Sequence, residues 1–533
     1  MTNPSHTIQP TAEQIAVIDY IQQVLTGSVP SLVVEALAGS AKTTTMKLAL
    51  QQAQASGIDL TSVLAVAFNK RIADDLTKAL SAAVTCKTLN AIGHGAWSKT
   101  IGSRLTLDAN KLWEISSNIK LTPAQIKSGL DIIEVARAVR IAITVARNTG
   151  FVPAELKHPA GRSLVSHDTF LNDCEKALLE DSNDTPLDDW WMHFIPAIRE
   201  SIRQAYEGLI DFADQLYMST CFGGVFPQFK TVFVDEAQNL SPLNHKMLSK
   251  LVARPSSTVP NGGRLVAIGD SRQAIYGFRG ASSDSLRELS TQFDANILKL
   301  TTCFRCPKEV VKEAQRIVPT IQSPDWMKDG QVLHTNRIPA FESFPFERLA
   351  ILCRNNAPLL KMAFHLIKHG RGVQILGHEL GQGLIRQVKK LCPERCADMA
   401  EFQAQLKHWY AAQTPQKQVQ LADRMACLEV CTENLSSPKD IIPHLESLFG
   451  NKEALITLST GHKCKGFEWP HVWIIHPDLV PSGYAKDPAQ IQQEWNLLYV
   501  MITRAQKVLT IINTSWPVIK HDSWDNHQEG AIK

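Results

Sequence analysis

The chain has 533 residues, of which 44% are hydrophobic and 20% are charged, a balance typical of a globular protein with several domains. The net charge is +3 and no polybasic tail is present, so any nucleic-acid binding would use a local groove. The first ten residues are polar, and no apolar run approaches the roughly 18 residues of a membrane span. We therefore expect neither a signal peptide nor a membrane partner, and the eleven scattered cysteines favour a reducing cytosol.

Short apolar runs rich in β-branched residues recur along the chain and end in polar or glycine-containing turns. Such runs are typical of parallel strands covered on both faces, and helical stretches lie between them, so the sequence predicts an α/β fold with parallel sheets. The predicted strands are Leu32–Leu37, Val63–Phe68, Thr231–Val234, Leu265–Ile268, Leu349–Cys353, Ile456–Leu458, Val472–Ile475 and Val508–Ile512.

The predicted strands form two groups, which indicates two α/β domains in sequence, each interrupted by a mostly helical segment. In the first segment, Thr122 resembles a helix N-cap and Gly150 a helix stop. The predicted division is a first domain of residues 1–96 and 215–290 with a helical insertion at 97–214, and a second domain of residues 291–377 and 451–533 with a reduced helical insertion at 378–450.

The first motif with recognisable chemistry follows the strand Leu32–Leu37 and has the strand, small-residue loop, Lys-Thr and helix of a P-loop. Its backbone N–H groups would surround phosphates, Lys42 would reach the β- and γ-phosphates, and the Thr43 hydroxyl would bind Mg²⁺. Alanine at 36 and 41 replaces the usual glycine, and an ordinary strand-to-helix turn is the alternative. The proposed cradle comprises Ala38, Gly39, Ser40, Ala41, Lys42, Thr43 and Thr44.

Two adjacent acids, Asp235 and Glu236, end the strand Thr231–Val234. In a P-loop fold the aspartate would hold Mg²⁺ and the glutamate would polarise the attacking water. A solvated turn is the alternative interpretation, and the upstream P-loop makes it less favourable.

A third block follows the strand Leu265–Ile268, where Gln273 could sense the γ-phosphate. Tyr276, Phe278 and Arg279 combine aromatic rings with a cation, as in sites that stack exposed bases. Aromatic pairs are more often part of a core, but the surrounding glycines and polar residues favour a loop.

Three close cysteine pairs have spacings that a zinc or iron–sulfur site could use. Unpaired structural thiols are the more common explanation for such isolated pairs. The pairs are Cys303 with Cys306, Cys392 with Cys396, and Cys427 with Cys431.

Together these blocks resemble the motifs of superfamily 1A DNA helicases of the UvrD, Rep and PcrA type, and the resemblance continues in order along almost the whole chain. The motif sequences Ala67–Lys70 and Thr85–Thr88 are most similar to those of the F-box DNA helicase branch, although no F-box region is evident. The further matching blocks are Thr11–Gln14, Cys303–Arg305, Leu352–Asn356, Ser459–Glu468 and Leu498–Ala505.

The resemblance implies two RecA-like motor domains that bind ATP and Mg²⁺ between them, and 3′-to-5′ movement on single-stranded DNA. Gln14 would read adenine, Phe304 would stack on it, and Glu468 would also bind the nucleotide. Arg305 and Arg504 would act as arginine fingers, worth about 10³–10⁵ in rate. The candidate nucleic-acid contacts are Phe68, Asn69, Thr88, Tyr276, Phe278, Arg279 and His462.

Several departures from the family pattern leave other functions open. Ala41, Asn90 and Asn239 stand where the family usually has glycine, histidine and aspartate. The short 378–450 insertion favours translocation over unwinding, so a DNA-stimulated ATPase that senses DNA ends or structures is the main alternative. A non-hydrolysing scaffold is a more distant one.

Substrate, partners and origin follow from the resemblance only as expectations. Single strands and junctions with duplex are the expected substrates, and RNA remains open. A protein partner in a repair or defence complex is possible. We expect a cytoplasmic protein, prokaryotic or phage-encoded rather than nuclear.

Overall fold

The computed structural model describes residues 9–512 except for short gaps. The gaps fall at 68, 81, 128–129, 155–160, 182–190, 258, 276–283, 340–346, 377, 392, 414, 433–434, 451–453, 484 and 486–487. Phe68, Tyr276, Phe278, Arg279 and Cys392 therefore lie outside the described residues.

The chain divides into two compact units, one of Met1–Leu37 and Ala41–Thr301, the other of Ala38–Ser40 and Thr302–Lys533. Each unit contains a parallel six-stranded sheet flanked by helices, as expected for the α/β class. No helix in the described part of the chain is long and apolar enough to cross a membrane.

The first unit contains eight strands and twelve α-helices among its described residues. The strands are β1 Leu32–Ala36, β2 Val63–Ala67, β3 Thr85–Thr88, β4 Thr106–Leu107, β5 Leu209–Ile210, β6 Thr231–Val234, β7 Arg264–Gly269 and β8 Asn296–Leu300. The helices are α1 Ala12–Thr26, α2 Lys42–Ala55, α3 Lys70–Ala79, α4 Leu89–Ile101, α5 Lys111–Ser117, α6 Pro123–Lys127, α7 Ile132–Thr149, α8 His167–Asp181, α9 Trp191–Tyr206, α10 Phe212–Cys221, α11 Pro242–Leu251 and α12 Ser285–Gln292.

The second unit contains the remaining elements. Its strands are β9 Gln331–Thr335, β10 Leu349–Cys353, β11 Val373–Ile375, β12 Ile456–Thr460, β13 Trp469–Ile475 and β14 Ala505–Ile512. Its helices are α13 Lys308–Ala314, α14 Asn356–Lys368, α15 His378–Lys390, α16 Met399–Ala411, α17 Pro415–Thr432, α18 Ile441–Gly450 and α19 Pro488–Ile502.

The first sheet has the strand order β3-β2-β6-β7-β1-β8, so β6, β7 and β1 are consecutive. All three are almost entirely buried, which explains why their sequences are near-continuous apolar runs. The carboxyl ends of parallel strands meet at one edge of a sheet, where ligands of open α/β sheets bind. The segments that follow β1, β6 and β7 therefore meet at this edge.

Strand β8 pairs in parallel with β1 from Leu32↔Asn296 to Ala36↔Leu300. The first sheet thus extends beyond residue 290, where the sequence analysis ended the first domain. β8 is largely exposed along its length, because it lies at the edge of the sheet and has only one neighbour.

Helices α4–α10 have a hydrophobic core of their own, with Trp97, Phe170, Phe194 and Tyr217 among its large buried side chains. The expected helix signals are present. Gln125 N–H donates to Thr122 Oγ1 at 3.3 Å, and α7 ends at Gly150, which has φ 74°.

Helices α15–α18 share one core with the strands of the second sheet. Phe402, Leu428 and Leu445 from these helices pack in the same cluster as Ile351 and Trp473 from the strands. Asp423 of α17 also accepts hydrogen bonds from the first N–H groups of α14, at 3.0 Å from Asn356 and 2.9 Å from Ala357. Residues 378–450 therefore form an integral layer of this unit.

Candidate nucleotide-binding site

The loop between β1 and α2 has the strained backbone that its sequence suggests. Ala41 precedes α2 with φ 59° and ψ 38°, the left-handed region that costs an L-residue with a Cβ about 1–2 kcal/mol. Gly39 also has a positive φ, 70°, which glycine adopts without this cost. The alanine at position 41 thus occupies a conformation that favours glycine.

The P-loop residue Thr43 and the acidic residue Asp235 are in direct contact. The Thr43 hydroxyl donates to Asp235 Oδ2 at 2.6 Å. Burial raises the pKa of Asp235, the neighbouring Glu236 raises it further, and the Thr43 hydrogen bond and the Lys42 charge oppose the shift. A hydroxyl beside a carboxylate is an oxygen donor set of the kind Mg²⁺ prefers, so these residues fit the predicted ion.

A hydrogen-bond chain links Glu236 to Gln273 through two residues that the sequence analysis did not assign. Gln238 Nε2 donates to Glu236 Oε2 at 2.5 Å, and Gln238 Oε1 accepts from the backbone N–H of Asp270 at 3.0 Å. Asp270 Oδ2 in turn accepts from Gln273 Nε2 at 2.7 Å. The predicted base and the predicted phosphate sensor are therefore held in one network.

Gly269 makes the middle of this chain possible, because a Cβ at this position would lie 2.5 Å from Gln238 Oε1. Asp270 is 1% exposed, and burial raises the pKa of its carboxyl group while the Lys42 charge lowers it. Both Gln238 and Asp270 stand inside the motif blocks, but only the folded chain shows that they touch.

The remaining nucleotide candidates of the first unit, Gln14 and Thr44, differ in environment. Gln14 is buried, and its side chain accepts from Thr11 N–H at 3.0 Å and donates to Thr45 Oγ1 at 3.1 Å. It therefore joins α1 to α2, and its reading of adenine stays a prediction. Thr44 is exposed on the first turn of α2.

In the second unit, Thr503 lies between the two predicted arginine fingers. Arg305 donates through Nε to Glu468 Oε2 at 2.5 Å and through Nη1 to the Thr503 carbonyl at 3.4 Å. Arg504 donates to Val500 O at 2.8 Å, Phe467 O at 3.2 Å and Thr503 Oγ1 at 3.2 Å.

The Arg504 guanidinium is 1% exposed, and burial, with the nearby Arg305 charge, lowers its pKa. Its hydrogen-bond partners among the described residues are two carbonyls and a hydroxyl. A buried cation with neutral partners is suited to an anion such as a phosphoryl group.

The segment Ala38–Ser40 belongs to the second unit and contacts the predicted adenine-stacking residue. Phe304 N–H donates to Gly39 O at 2.8 Å, and Ala38 N–H donates to the Tyr499 hydroxyl at 3.0 Å. The Ser40 hydroxyl is buried without a hydrogen-bond partner in the described structure. A buried hydroxyl with no protein partner in this loop fits a site that binds a polar ligand.

The ring of Phe304 faces a second aromatic residue that the sequence analysis missed. Trp326 stacks at 6.3 Å between ring centroids and 21° between planes, and it is 64% exposed. An exposed tryptophan beside the predicted adenine-stacking ring adds apolar surface there.

Two of the predicted nucleic-acid contacts lie at the ends of neighbouring parallel strands. Asn69 lies two residues after Ala67, the last residue of β2, and Ala67 pairs with Thr88, the last residue of β3. Both cap helices: Asn69 Oδ1 accepts from Ile72 N–H at 2.9 Å and Thr88 Oγ1 from Ala91 N–H at 3.2 Å. His462, in the second unit, lies in the turn after β12. Phe68, Tyr276, Phe278 and Arg279 fall in the gaps.

Asn90, at the position where the family usually has histidine, has a structural role. Its side-chain amide donates to Phe212 O at 2.9 Å and to Gln215 Oε1 at 3.0 Å. It thereby ties α4 to α10 in the helical segment, a contact that sequence reasoning alone did not reveal.

The cysteine pairs form no larger ligand cluster in the described structure, where no group of three or more potential metal ligands is found. Cys303, Cys306, Cys427 and Cys431 are free, buried thiols.

A parallel sheet with a P-loop after one central strand, acids after a second and a glutamine after a third defines the nucleotide-hydrolase arrangement of RecA-like folds. The UvrD/REP helicase N-terminal domain family matches residues 21–294, and the UvrD-like helicase C-terminal domain family matches residues 387–515. The chain belongs to the UvrD/REP helicase family.

Curated relatives have the same family character. "F-box DNA helicase protein 1" of Schizosaccharomyces pombe is 26% identical over 55% of this chain and 35% of its own length. "F-box DNA helicase 1" of Gallus gallus is 25% identical over 89% of this chain and 46% of its own. "ATP-dependent DNA helicase UvrD2" of Mycobacterium bovis is 24% identical over 62% and 55%. The chain thus spans about a third to about half of the length of these relatives.

Proposed function

We propose that this chain is an ATP-dependent DNA helicase or translocase that moves 3′-to-5′ on single-stranded DNA and couples ATP hydrolysis to unwinding or protein displacement. The contact between Thr43 and Asp235 at 2.6 Å carries the proposal, because it joins the phosphate-binding loop to the acidic motif. The polarity rests on the family resemblance alone.

The roles of the residues follow from their positions. Lys42 would bind the phosphates of ATP, and Glu236, held by Gln238, would orient and deprotonate the attacking water. Thr43 and Asp235 would hold Mg²⁺, which supplies Lewis-acid stabilisation of the phosphate oxygens when bound. Arg305 and Arg504 would neutralise charge that develops on the transferred phosphoryl group.

The experiment that tests this function is a translocation assay on single strands labelled at either end, together with DNA-stimulated ATPase. Lys42→Ala should abolish both activities. Lys47→Ala, on the same helix α2 but outside the loop, is the matched control and should retain them. An arrival signal at the 5′ label that is delayed in proportion to strand length would support 3′-to-5′ movement. The same length-dependent arrival at the 3′ label would contradict it.

An equal ATPase rate in the Lys42→Ala variant would contradict the proposal as a whole. RNA strands of the same sequence serve as a parallel substrate. Stimulation by RNA alone would contradict DNA as the track.

A second candidate is a DNA-stimulated ATPase that senses ends or structures, as part of a repair or defence complex, without processive unwinding. The observation that favours it is the layer α15–α18, which is packed into the core of the second sheet and leaves few residues for a separate accessory domain. Strand displacement on a 3′-tailed duplex separates the two candidates. Strong displacement by the protein alone would exclude the second.

A further inference from the structure

Two cysteines flank the residues predicted to stack on adenine and to act as an arginine finger. Cys303 and Cys306 enclose Phe304 and Arg305, and both thiols are fully buried. The backbone N–H of Cys306 donates to Cys303 Sγ at 3.4 Å. The Cys306 thiol lies within hydrogen-bond reach of both the Cys303 sulfur and, at 3.4 Å, the Thr503 carbonyl.

The two sulfurs have opposite electrostatic environments. Hydrogen bonds from the Cys306 thiol and from the backbone, with the Arg305 charge, lower the pKa of Cys303 to about 6 despite its burial. The hydrogen bond with Cys303 and burial raise the pKa of Cys306. The Cys303 sulfur is thus the more acidic of two adjacent sulfurs, an asymmetry that is typical of reactive dithiols.

Other buried cysteines of the same unit lack this asymmetry. Cys427 and Cys431 lie one helical turn apart on α17, and burial raises the pKa of both thiols. Burial likewise raises the pKa of Cys353 to about 12. Burial alone therefore does not account for the acidity of Cys303, which needs the Cys303–Cys306 geometry.

We propose that Cys303 and Cys306 form a redox-active dithiol that a peroxide converts to an intramolecular disulfide, and that this modification slows ATP hydrolysis. The formation of the disulfide is argued from the two cysteines themselves, whereas its effect on ATP hydrolysis rests on the proposed function. A two-residue spacing permits such a bond, as in other Cys-x-x-Cys dithiols.

The reaction balances with hydrogen peroxide as the oxidant. The Cys303 thiolate attacks one peroxide oxygen, the O–O bond breaks, and hydroxide leaves to give a sulfenic acid on Cys303. Cys306 then loses its proton and its sulfur displaces hydroxide from the Cys303 sulfur, forming the S–S bond. Two electrons pass from the two sulfurs to peroxide, and the two hydroxides take up the Cys306 proton and the proton that Cys303 released on ionisation, giving two waters. Peroxide is small enough to reach the sulfur through a local opening.

The disulfide would change the contacts that surround Arg305 and Arg504. Forming it withdraws Cys306 Sγ from the Thr503 carbonyl, which also accepts from Arg305 at 3.4 Å and directly precedes Arg504. The Cys303 sulfur also lies against Gly39, where a Cβ would come within 2.8 Å of it. The sulfur therefore has little room, and movement on oxidation would displace Ala38–Ser40 or the 303–306 turn.

The test combines thiol counting with ATPase measurement on the full chain. Protein is treated with hydrogen peroxide, denatured, alkylated with N-ethylmaleimide and analysed by mass spectrometry with and without prior dithiothreitol. We expect loss of two alkylation sites mapped to Cys303 and Cys306 and their recovery after reduction. We also expect a reversible fall in ATPase on the order of tenfold, since an arginine finger is worth about 10³–10⁵ in rate.

In the Cys306→Ser variant, oxidation should stop at a singly modified Cys303 or become irreversible there. In the Cys303→Ser variant, Cys306 should remain unoxidised. The double variant Cys427→Ser, Cys431→Ser is the matched control and should oxidise as the parent does. Equal oxidation rates at the Cys303 and Cys427 pairs, or no Cys303–Cys306 disulfide, would overturn the proposal. A disulfide that forms without changing ATPase would overturn its regulatory part. If reduced protein shows no ATPase, the mapping still decides the dithiol chemistry and the failure belongs to the proposed function.

Discussion

The hydroxyl of Thr43 donates to the carboxylate of Asp235 at 2.6 Å, across 192 positions of sequence. We expect Thr43→Ala to weaken Mg²⁺-dependent ATPase, with the apparent metal affinity falling by about 10–100-fold, the range for residues that support a metal. Thr43→Ser retains a hydroxyl and should stay within a few-fold of the parent, as judged from ATPase rates over a Mg²⁺ titration. Equal Mg²⁺ curves for the alanine and serine variants would argue against a metal-binding role for this hydroxyl.

Two alanines stand at glycine positions of the P-loop pattern, and substitution to glycine should have opposite effects at each. Ala41 has φ 59°, so Ala41→Gly should raise the free energy of unfolding by up to about 1 kcal/mol. Ala36 ends the buried strand β1, so Ala36→Gly should lower it by roughly 0.5–1 kcal/mol. Chemical denaturation measures both. If both substitutions lowered the free energy of unfolding, the backbone conformation of Ala41 would not be a source of strain in the folded protein.

Asp270 should make the stability of the protein depend on pH. Because burial raises its pKa in the folded state above the ordinary aspartate value of 3.8, the native protein loses stability as the pH rises from about 4 through the folded pKa. Asp270→Asn removes that loss, so its Tm relative to the parent should increase with pH across this interval.

The same substitution should lower kcat, because Asp270 orients Gln273 through the 2.7 Å hydrogen bond. Asp19→Asn, at an exposed position of α1, is the control and should change neither Tm nor kcat. A Tm difference that stays constant with pH would contradict the assignment to Asp270.

Substitution by lysine should change the stability of the protein more at Arg504 than at Arg305. Arg504 supplies three hydrogen bonds from a fully buried guanidinium, and lysine cannot replace that fork. Arg504→Lys should therefore lower the free energy of unfolding by about 1–3 kcal/mol. Arg305 pairs with Glu468 at a partly exposed position, and such pairs contribute only about 0–1 kcal/mol.

Both variants should reduce kcat for ATP hydrolysis, because lysine also lacks the fork that fits a phosphoryl group. Circular dichroism melts and steady-state ATPase measure the two effects separately. Equal stability losses, or normal kcat in Arg305→Lys, would contradict the roles given to them.

Asp423 should stabilise the second unit through α14. The N-cap residue Asn355 makes no side-chain capping hydrogen bond, and Asp423 of α17 caps the helix instead. Asp423→Ala should cost about 0.5–2 kcal/mol, the usual value of a cap. Glu429→Ala, at an exposed position of the same helix, should be nearly neutral in the same urea titration. Similar losses for both variants would assign the effect to α17 itself.

The central strands of both sheets could be predicted from sequence, and the edge strands could not. All four missed strands of the large sheets lie at edges: β3 and β8 in the first sheet, β11 and β9 in the second. An edge strand has one neighbour and one exposed side, so polar residues such as those of β9 are tolerated there. A search for continuous apolar runs therefore detects interior strands only.

The candidate site shows the same division. Lys42, Thr43, Asp235 and Glu236 could be assigned because each stands at a fixed place after a strand. The link from Gln238 to Asp270 depends on the absence of a side chain at Gly269, a condition that sequence spacing does not reveal. Trp326 was missed because it lies outside every motif block and meets Phe304 only in the folded chain.

The common core of α15–α18 and the second sheet has a consequence for engineering. These helices pack against the second sheet in one core, so excising them would leave apolar side chains of the sheet unburied. A truncated protein without residues 378–450 should aggregate rather than fold as a smaller stable protein. Replacing the helices would remove part of the core that holds β10 and β13 in place, so this chain should tolerate insertions better in the connections between these helices than within them.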